Sequence, residues 1–430
     1  MSSQTQSDWT PLLPREPLTI PPDFIWGVAS SAFQSEGGEV PNDWVAAARA
    51  GRVPGNPGNG FWNCFADDFA QVAALGVRHY RLSVEWSRVE PERRRYDEVA
   101  LDRYRTMCDA AVAAGLTPWV NLFHFTHPLW VAESGGLQNA ANRDAFVRYV
   151  DRVARALSGH ARHFHTQNES MVYVLASYFL GENPPFVRDP AIAYEMARHV
   201  LWLHASSYAV LHEIVADVTV ATIEVYLPLI AETAAFAPAV ELFDRWYHGA
   251  LLQGLASGII DLPGRDPETV PALRGAVDLY GFNYYSASSL GPNGVGTYAE
   301  HATAPTDTMG RKVCPEFLER GLTRVAAALP GVPLVVTENG CPTRDEAFRI
   351  RYLAAHLAAL LRARDGGVDV RGYFHWTAVD NYEWHHGFSD ARFGLIGFDP
   401  VTLRRQVKDS GRWLARVIAC GRLDPSDWPS

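Results

Sequence analysis

The run Asp67-Asp68-Phe69-Ala70-Gln71-Val72-Ala73-Ala74-Leu75-Gly76 passes directly into Val77-Arg78-His79-Tyr80-Arg81-Leu82-Ser83-Val84, and this junction decides the fold. The first half is apolar at helical spacing and stops at a glycine, which a helix C-terminus favours. The second half is a strand-like apolar run. The same order returns at 101–114, where a helical pattern stops at Gly115 and is followed by a strand-like run at 116–123. Working outward, eight strand-like runs are found, at 24–31, 77–84, 116–123, 162–169, 218–225, 277–286, 333–340 and 371–380. Further helical patterns lie at 142–157, with Asn142 read as its cap, at 347–363 and at 408–419. Strands alternating with helices require a parallel sheet, and eight such units predict an α/β fold, a single-domain (β/α)8 TIM barrel. The strands are mostly continuous rather than alternating, as expected where both faces are covered.

No linker divides the chain. The Gly- and Pro-rich stretches at 41–60, 181–190, 263–271 and 291–308 read as loops between elements. The expected organisation is a polar, Pro-rich N-terminal extension over 1–22 and one barrel domain over 23–425.

Hydrophobic residues make up 47% of the 430, enough for a large core, and the 13 tryptophans admit stacking against carbohydrate. A net charge of −10 argues against nucleic acid or an anionic membrane as partner. No segment reads as a signal peptide or a membrane span. The five cysteines, Cys64, Cys108, Cys314, Cys341 and Cys420, are scattered, which fits a reduced cytoplasmic protein.

Catalytic side chains of a barrel come from the carboxyl ends of its strands and the loops that follow. Two runs end in glutamate: His165-Thr166-Gln167-Asn168-Glu169 and Leu334-Val335-Val336-Thr337-Glu338-Asn339-Gly340. Two carboxyls on one pocket are what cleavage of a glycosidic bond needs, one to protonate the leaving oxygen and one to attack the sugar carbon. Other strand ends add Gln34, Arg81, Glu85, His124, Asn168, Asn283, Tyr285, Trp376, Glu383 and Trp384. Amide, imidazole and carboxylate groups in one cup match a ligand dense in hydroxyls, and an indole matches the apolar face of a pyranose.

From Phe24 to the C-terminal helix the chain resembles the retaining β-glycosidases of glycoside hydrolase family one. The resemblance is carried by the segments 24–37, 80–88, 166–169, 281–285, 337–340 and 380–384, in that order along the chain. It implies Glu169 as acid/base and Glu338 as nucleophile, with Arg81 and Tyr285 in contact with the nucleophile. It also implies Asn168 on the sugar 2-hydroxyl, with Gln34, His124, Asn283, Trp376, Glu383, Trp384 and Phe393 as substrate-binding residues. Strand alternation alone would turn Asn168 to the side opposite Glu169. The expected substrate is a terminal, unphosphorylated β-D-glycoside, small or oligosaccharide. A β-glucoside comes first, and a β-galactoside or β-fucoside is compatible. No metal or cofactor is expected, and a homo-oligomer is compatible with the sequence.

Three positions depart from the family pattern. Ser170 stands where proline is usual, Phe125 where tryptophan is usual, and Gln167 where a small apolar residue is common. Glu383 is present, and 389–393 lacks the lysine of a phosphate clamp, so a phosphorylated sugar is not expected. The histidines 124, 127, 375, 385 and 386 show no helix-borne ligand pattern. Trp26, Trp62, Trp86 and Trp119 read as core. A second reading is a catalytically silent sugar-binding protein on the same barrel. Retention of both glutamates together with Arg81 and Tyr285 favours the enzyme.

Overall fold

A computed structural model describes residues 8–298 and 303–429. Eight parallel strands close into a barrel: β1 (Ile25–Ala29), β2 (His79–Ser83), β3 (Thr117–Asn121), β4 (His163–Asn168), β5 (Thr219–Val225), β6 (Leu279–Asn283), β7 (Leu334–Asn339) and β8 (Val370–Trp376). Each strand pairs with its neighbours in chain order, and β8 closes on β1, with Trp376 opposite Ala29. Seven of the strand-like runs contain one of these strands and the eighth, read from 371, begins one residue after β8 does, so the protein is a (β/α)8 barrel.

The outer layer is formed by the helices Phe61–Ala74, Glu98–Ala113, Ala140–Leu157, Pro190–Ile214, Ala250–Ser257, Glu316–Ala328, Glu346–Asp365 and Asp409–Cys420. The first begins six residues before the Asp67 pattern does. The third starts earlier than expected: Asn139, not Asn142, is its cap, accepting the Ala141 N–H at 3.0 Å. Asn142 is buried inside the first turn, where its amide donates to the Gly136 carbonyl at 2.8 Å. The longest helix, Pro190–Ile214, had no sequence assignment. Its start follows known rules, since Asp189 caps the Ala191 N–H and proline occupies the first turn.

Inside the barrel a floor of Trp119, Ala221, Leu279, Val335 and Phe374 packs below the carboxyl ends of the strands. Gly27 is part of this fit, because a Cβ there would lie 2.3 Å from the Phe374 ring. Trp26, Trp86 and Trp119 are buried, as read from the sequence, while Trp62 is half-buried under the Arg88 guanidinium at 4.1 Å. Within the stretch read as an extension, residues 1–7 lie outside the described residues. Trp9 packs with Val313, Cys341 and Tyr352, and Leu18–Thr19 pairs with Arg422–Leu423. The loop at 291–308 is described except for 299–302.

Candidate active site

A cavity of about 230 Å³ opens at the carboxyl ends of the strands. Glu169 and Glu338 both line it, from the ends of β4 and β7. Glu338 accepts hydrogen bonds from Arg81 Nη2 and from the Tyr285 hydroxyl. Arg81 is 0% exposed, so this ion pair works in a dry setting where its field is strong. Its other terminal nitrogen, Nη1, donates to Asn168 Oδ1 at 3.0 Å, which sets the plane of the guanidinium.

Glu169 is held differently. Asn283 Nδ2 donates to its Oε1 at 2.7 Å, and Asn283 is itself fixed by the Thr337 hydroxyl at 2.7 Å. Among the described residues no cation forms an ion pair with Glu169. Burial pushes its pKa well above the carboxylate range, and the neighbouring charge of Glu338 pushes it further. One carboxyl is therefore built to hold a proton while its neighbour lies against a guanidinium.

The backbone makes this possible at a local cost. Glu169 has φ 50° and ψ 53°, in the left-handed region that L-residues avoid. The pairing of β4 with β5 also shifts between His165 and Asn168. The alternation expected for neighbouring strand residues is thereby lost, and Asn168 and Glu169 both line the cavity. Asn168 Oδ1 accepts from Arg81 and from Asn283, and its Nδ2 meets His124 Nε2 at 3.4 Å.

His124, Trp376, Glu383, Trp384 and Phe393 also line the cavity. His124 stacks on Trp376, with ring centroids 5.8 Å apart. Burial, and then the Arg81 charge, push its pKa well below the usual imidazole range, so it is neutral. Glu383 is raised to about 7 by burial, partly offset by the charge of Arg311. Asn283 and Arg81 act from behind the lining.

Gln34 is also absent from the lining. Its Nε2 donates to the Tyr382 carbonyl at 2.8 Å, and its Oε1 accepts from the Ser31 hydroxyl at 2.7 Å. It ties the segment before Glu383 to the end of β1. Glu85 is likewise engaged elsewhere, accepting from Ser87 and Thr126 hydroxyls at 2.6 and 2.8 Å.

The three departures from the family pattern now have locations. Ser170 donates its hydroxyl to Glu224, a buried carboxylate that also accepts the Met171 N–H at 3.2 Å. Phe125 lines the cavity with its ring 5.2 Å from Trp384. Gln167 points away from the cavity and donates to the Val200 carbonyl at 3.0 Å. Sequence reading also missed Arg311, Met309, Asn183 and Val172 in the wall. A larger open groove lies elsewhere, among Arg344, Arg405, Lys408 and Arg412. Each of these cations is paired with an aspartate, and neither Glu169 nor Glu338 opens into the groove.

The fold and the site thus define a class: barrel proteins with two acids on one cavity at the strand ends. The family model for glycosyl hydrolase family 1 matches residues 17–422. The β-glucosidase A of Thermotoga maritima is 28% identical, over 94% of this chain and 99% of its own. A bifunctional β-D-glucosidase/β-D-fucosidase of Bifidobacterium breve is 28% identical over 94% of this chain and 98% of its own. Among solved structures, the β-glycosidase from Pyrococcus horikoshii superposes with a TM-score of 0.88 at 31% identity. That alignment covers 96% of this chain and 97% of the other. The chain belongs to glycosyl hydrolase family 1 and is a glycoside hydrolase.

Proposed function

We propose that the protein is an exo-acting β-glycosidase that works with retention, through a covalent glycosyl-enzyme. The observation that carries this reading is the unlike treatment of two carboxyls in one cavity. Glu338, held by Arg81 and Tyr285, attacks the anomeric carbon. Glu169, protonated by burial and by the charge of Glu338, delivers its proton to the leaving oxygen. Once Glu338 is esterified its charge is gone and Glu169 ionises more easily. It then serves as the base that activates water for the second displacement. Burial and the Glu338 charge raise the Tyr285 phenol well above its usual range, so it remains a neutral donor throughout.

The substrate in this reading is a terminal, unphosphorylated β-D-glycoside. A β-glucoside comes first, with β-fucoside or β-galactoside accepted. Relatives bearing the names β-glucosidase and β-glucosidase/β-fucosidase support this. The neutral imidazole of His124, the carboxyl of Glu383 and the Trp376 ring supply the hydroxyl partners and stacking face that a pyranose needs. Phe125 lacks the indole nitrogen of a tryptophan, and this loosens discrimination at one hydroxyl. We take 23–425 as the catalytic domain, supported by the span from Ile25 to the helix Asp409–Cys420. A cytoplasmic location is supported by five cysteines that are all free. No helix of the described residues is long and apolar enough to cross a membrane.

The test is covalent trapping. An activated 2-deoxy-2-fluoro-β-glucoside should inactivate the protein and leave its sugar mass on the peptide containing Glu338. The first product anomer seen by NMR should be β. Label on Glu169, or an α product formed first, would sink the assignment. A protein that binds the sugar without turnover would be the silent sugar-binding alternative.

A further inference from the structure

One wall of the cavity carries a permanent cation that the chemistry above leaves unused. Arg311 lies in the segment between β6 and the helix Glu316–Ala328, and no other lysine or arginine among the described residues lines the cavity. Its Nε donates to Asp307 Oδ2 at 2.9 Å. Asp307 Oδ1 in turn accepts the backbone N–H groups of Met309 and Arg311, at 2.9 and 3.0 Å. This turn clamps the root of the side chain. The guanidinium carbon lies 5.2 Å from the Tyr285 ring centroid and 5.5 Å from that of Phe393, so two aromatic faces hold its plane. Nη2 is buried and has no hydrogen-bond partner, while the side chain as a whole is 28% exposed.

Here Asp307 takes Nε, and the aromatic rings orient the group without satisfying its terminal nitrogens. A fixed, planar fork with a spare donor at a substrate cavity matches a carboxylate, to which arginine can give two parallel hydrogen bonds. A phosphate fits less well. Asp307 already offsets one charge, and Glu338 and Glu383 line the same cavity. Glu383, whose charge is felt by Arg311, is raised to about 7, so below that pH it is mostly neutral and does not compete for Arg311.

We propose that Arg311 is a specificity-determining residue that donates from its terminal nitrogens to a carboxylate on the substrate, so that the preferred substrate is an acidic β-glycoside. This deepens the glycosidase reading and rests on it. The carboxylate can belong to the aglycone or stand on the sugar itself as a uronide. The chemistry is shared, and the two sources are separated by assay.

The experiment measures kcat/KM at pH 6 by released sugar for two substrate pairs. One is 3-carboxyphenyl β-glucoside and its methyl ester, and the other is phenyl β-glucuronide and phenyl β-glucoside. Wild type is compared with Arg311→Gln, Arg311→Ala and Arg311→Lys. Taking ratios within each enzyme and comparing them across enzymes cancels leaving-group ability. In one pair the acid-to-neutral ratio should fall about tenfold or more in Arg311→Gln and Arg311→Ala, as loss of a charge-assisted hydrogen bond implies. Arg311→Lys should keep part of it, and added salt should lower the wild-type ratio. The responding pair names the source of the carboxylate. Ratios equal in all four enzymes for both pairs, or a fall no larger in Gln than in Lys, would overturn the proposal. If wild type hydrolyses none of the four, the glycosidase reading fails instead. The same ratios are then taken from calorimetric binding constants, where an acid preference lost in Arg311→Gln supports the proposal and its absence overturns it.

Discussion

Replacing Glu169 by alanine removes the cavity carboxyl that Asn283 positions and that burial and the Glu338 charge drive well toward its protonated form. The cost follows from what remains. Tyr285 is tied to Glu338 and raised well above its usual range, His124 is held neutral, and Glu383 belongs to the segment after β8. None can step into the position that Asn283 fixes. The full contribution of a general acid should therefore be lost, about 10²–10⁴ in kcat/KM or ~3–5 kcal/mol, for a β-glucoside with a poor leaving group. A dinitrophenyl glycoside departs without a proton, so its first step should change little. Its rate should then be limited by deglycosylation and rise with azide, giving a β-glycosyl azide. In wild type the alkaline limb of the pH profile reports Glu169, whose burial and neighbouring charge place that limb above the ordinary carboxylate range. In the variant it should vanish for the dinitrophenyl substrate. Fold effects can be separated, because glycine accepts φ 50° at no steric cost. Glu169→Gly should be about 1 kcal/mol more stable than Glu169→Ala in urea unfolding, with the same kinetic defect. Equal losses for good and poor leaving groups, or an alkaline limb that survives, would refute the assignment.

Arg405 Nε and Nη2 bond to the two oxygens of the fully buried Asp68 at 2.6 and 2.8 Å, so Arg405→Met should cost about 3–5 kcal/mol in urea unfolding. An Asp68→Asn partner change should recover much of that, and no recovery would show that packing rather than the stranded charge was responsible. Glu224 is raised from 4.5 to about 7 by burial, so its folded form holds the proton more tightly than its unfolded form does. The resulting stability is complete below about pH 4.5 and is lost as pH rises through about 7, at most ~3 kcal/mol. Glu224→Gln should flatten the unfolding free energy across that window, and an unchanged pH dependence would contradict this. Glu383→Ser should lower β-glucoside kcat/KM by about 10–100-fold, the worth of hydrogen bonds to a carboxyl that strengthen toward the transition state. An unchanged value would place the sugar elsewhere.

The site was legible where it coincided with strand ends. Glu169, Glu338, Arg81, Asn168 and Tyr285 all come from strand-like runs, although the one before Glu169, His163-Phe164-His165-Thr166-Gln167-Asn168, is mostly polar. Glu224 ends such a run too and could have been found by the same reading, but nothing in its surroundings in sequence announces the Ser170 contact. Gln34 is a different case, because its place in the structure could not be read from its segment. It stands in a matching segment, and its amide bonds to Ser31 nearby and to Tyr382, which is distant in the chain. Arg311 was out of reach because it lies in a long segment with no period, and its approach to Tyr285 and Phe393 comes from residues distant in the chain.

The sequence by itself determined the barrel. Strand-like runs recur eight times along the chain, and helical patterns that stop at Gly76 and Gly115 mark where the early units end, so the alternation is written locally. It also determined that two acids stand at strand ends, because termination of an apolar run is a local event. That those acids open into one cavity was decided only by tertiary structure. The left-handed turn at Glu169 brings two consecutive residues to one cavity, against strand alternation. Closure of β8 on β1 completes the wall that keeps water away from Arg81 and Glu338. Protonation follows burial and neighbouring charge, and both are properties of distance in space, which spacing along a chain does not contain.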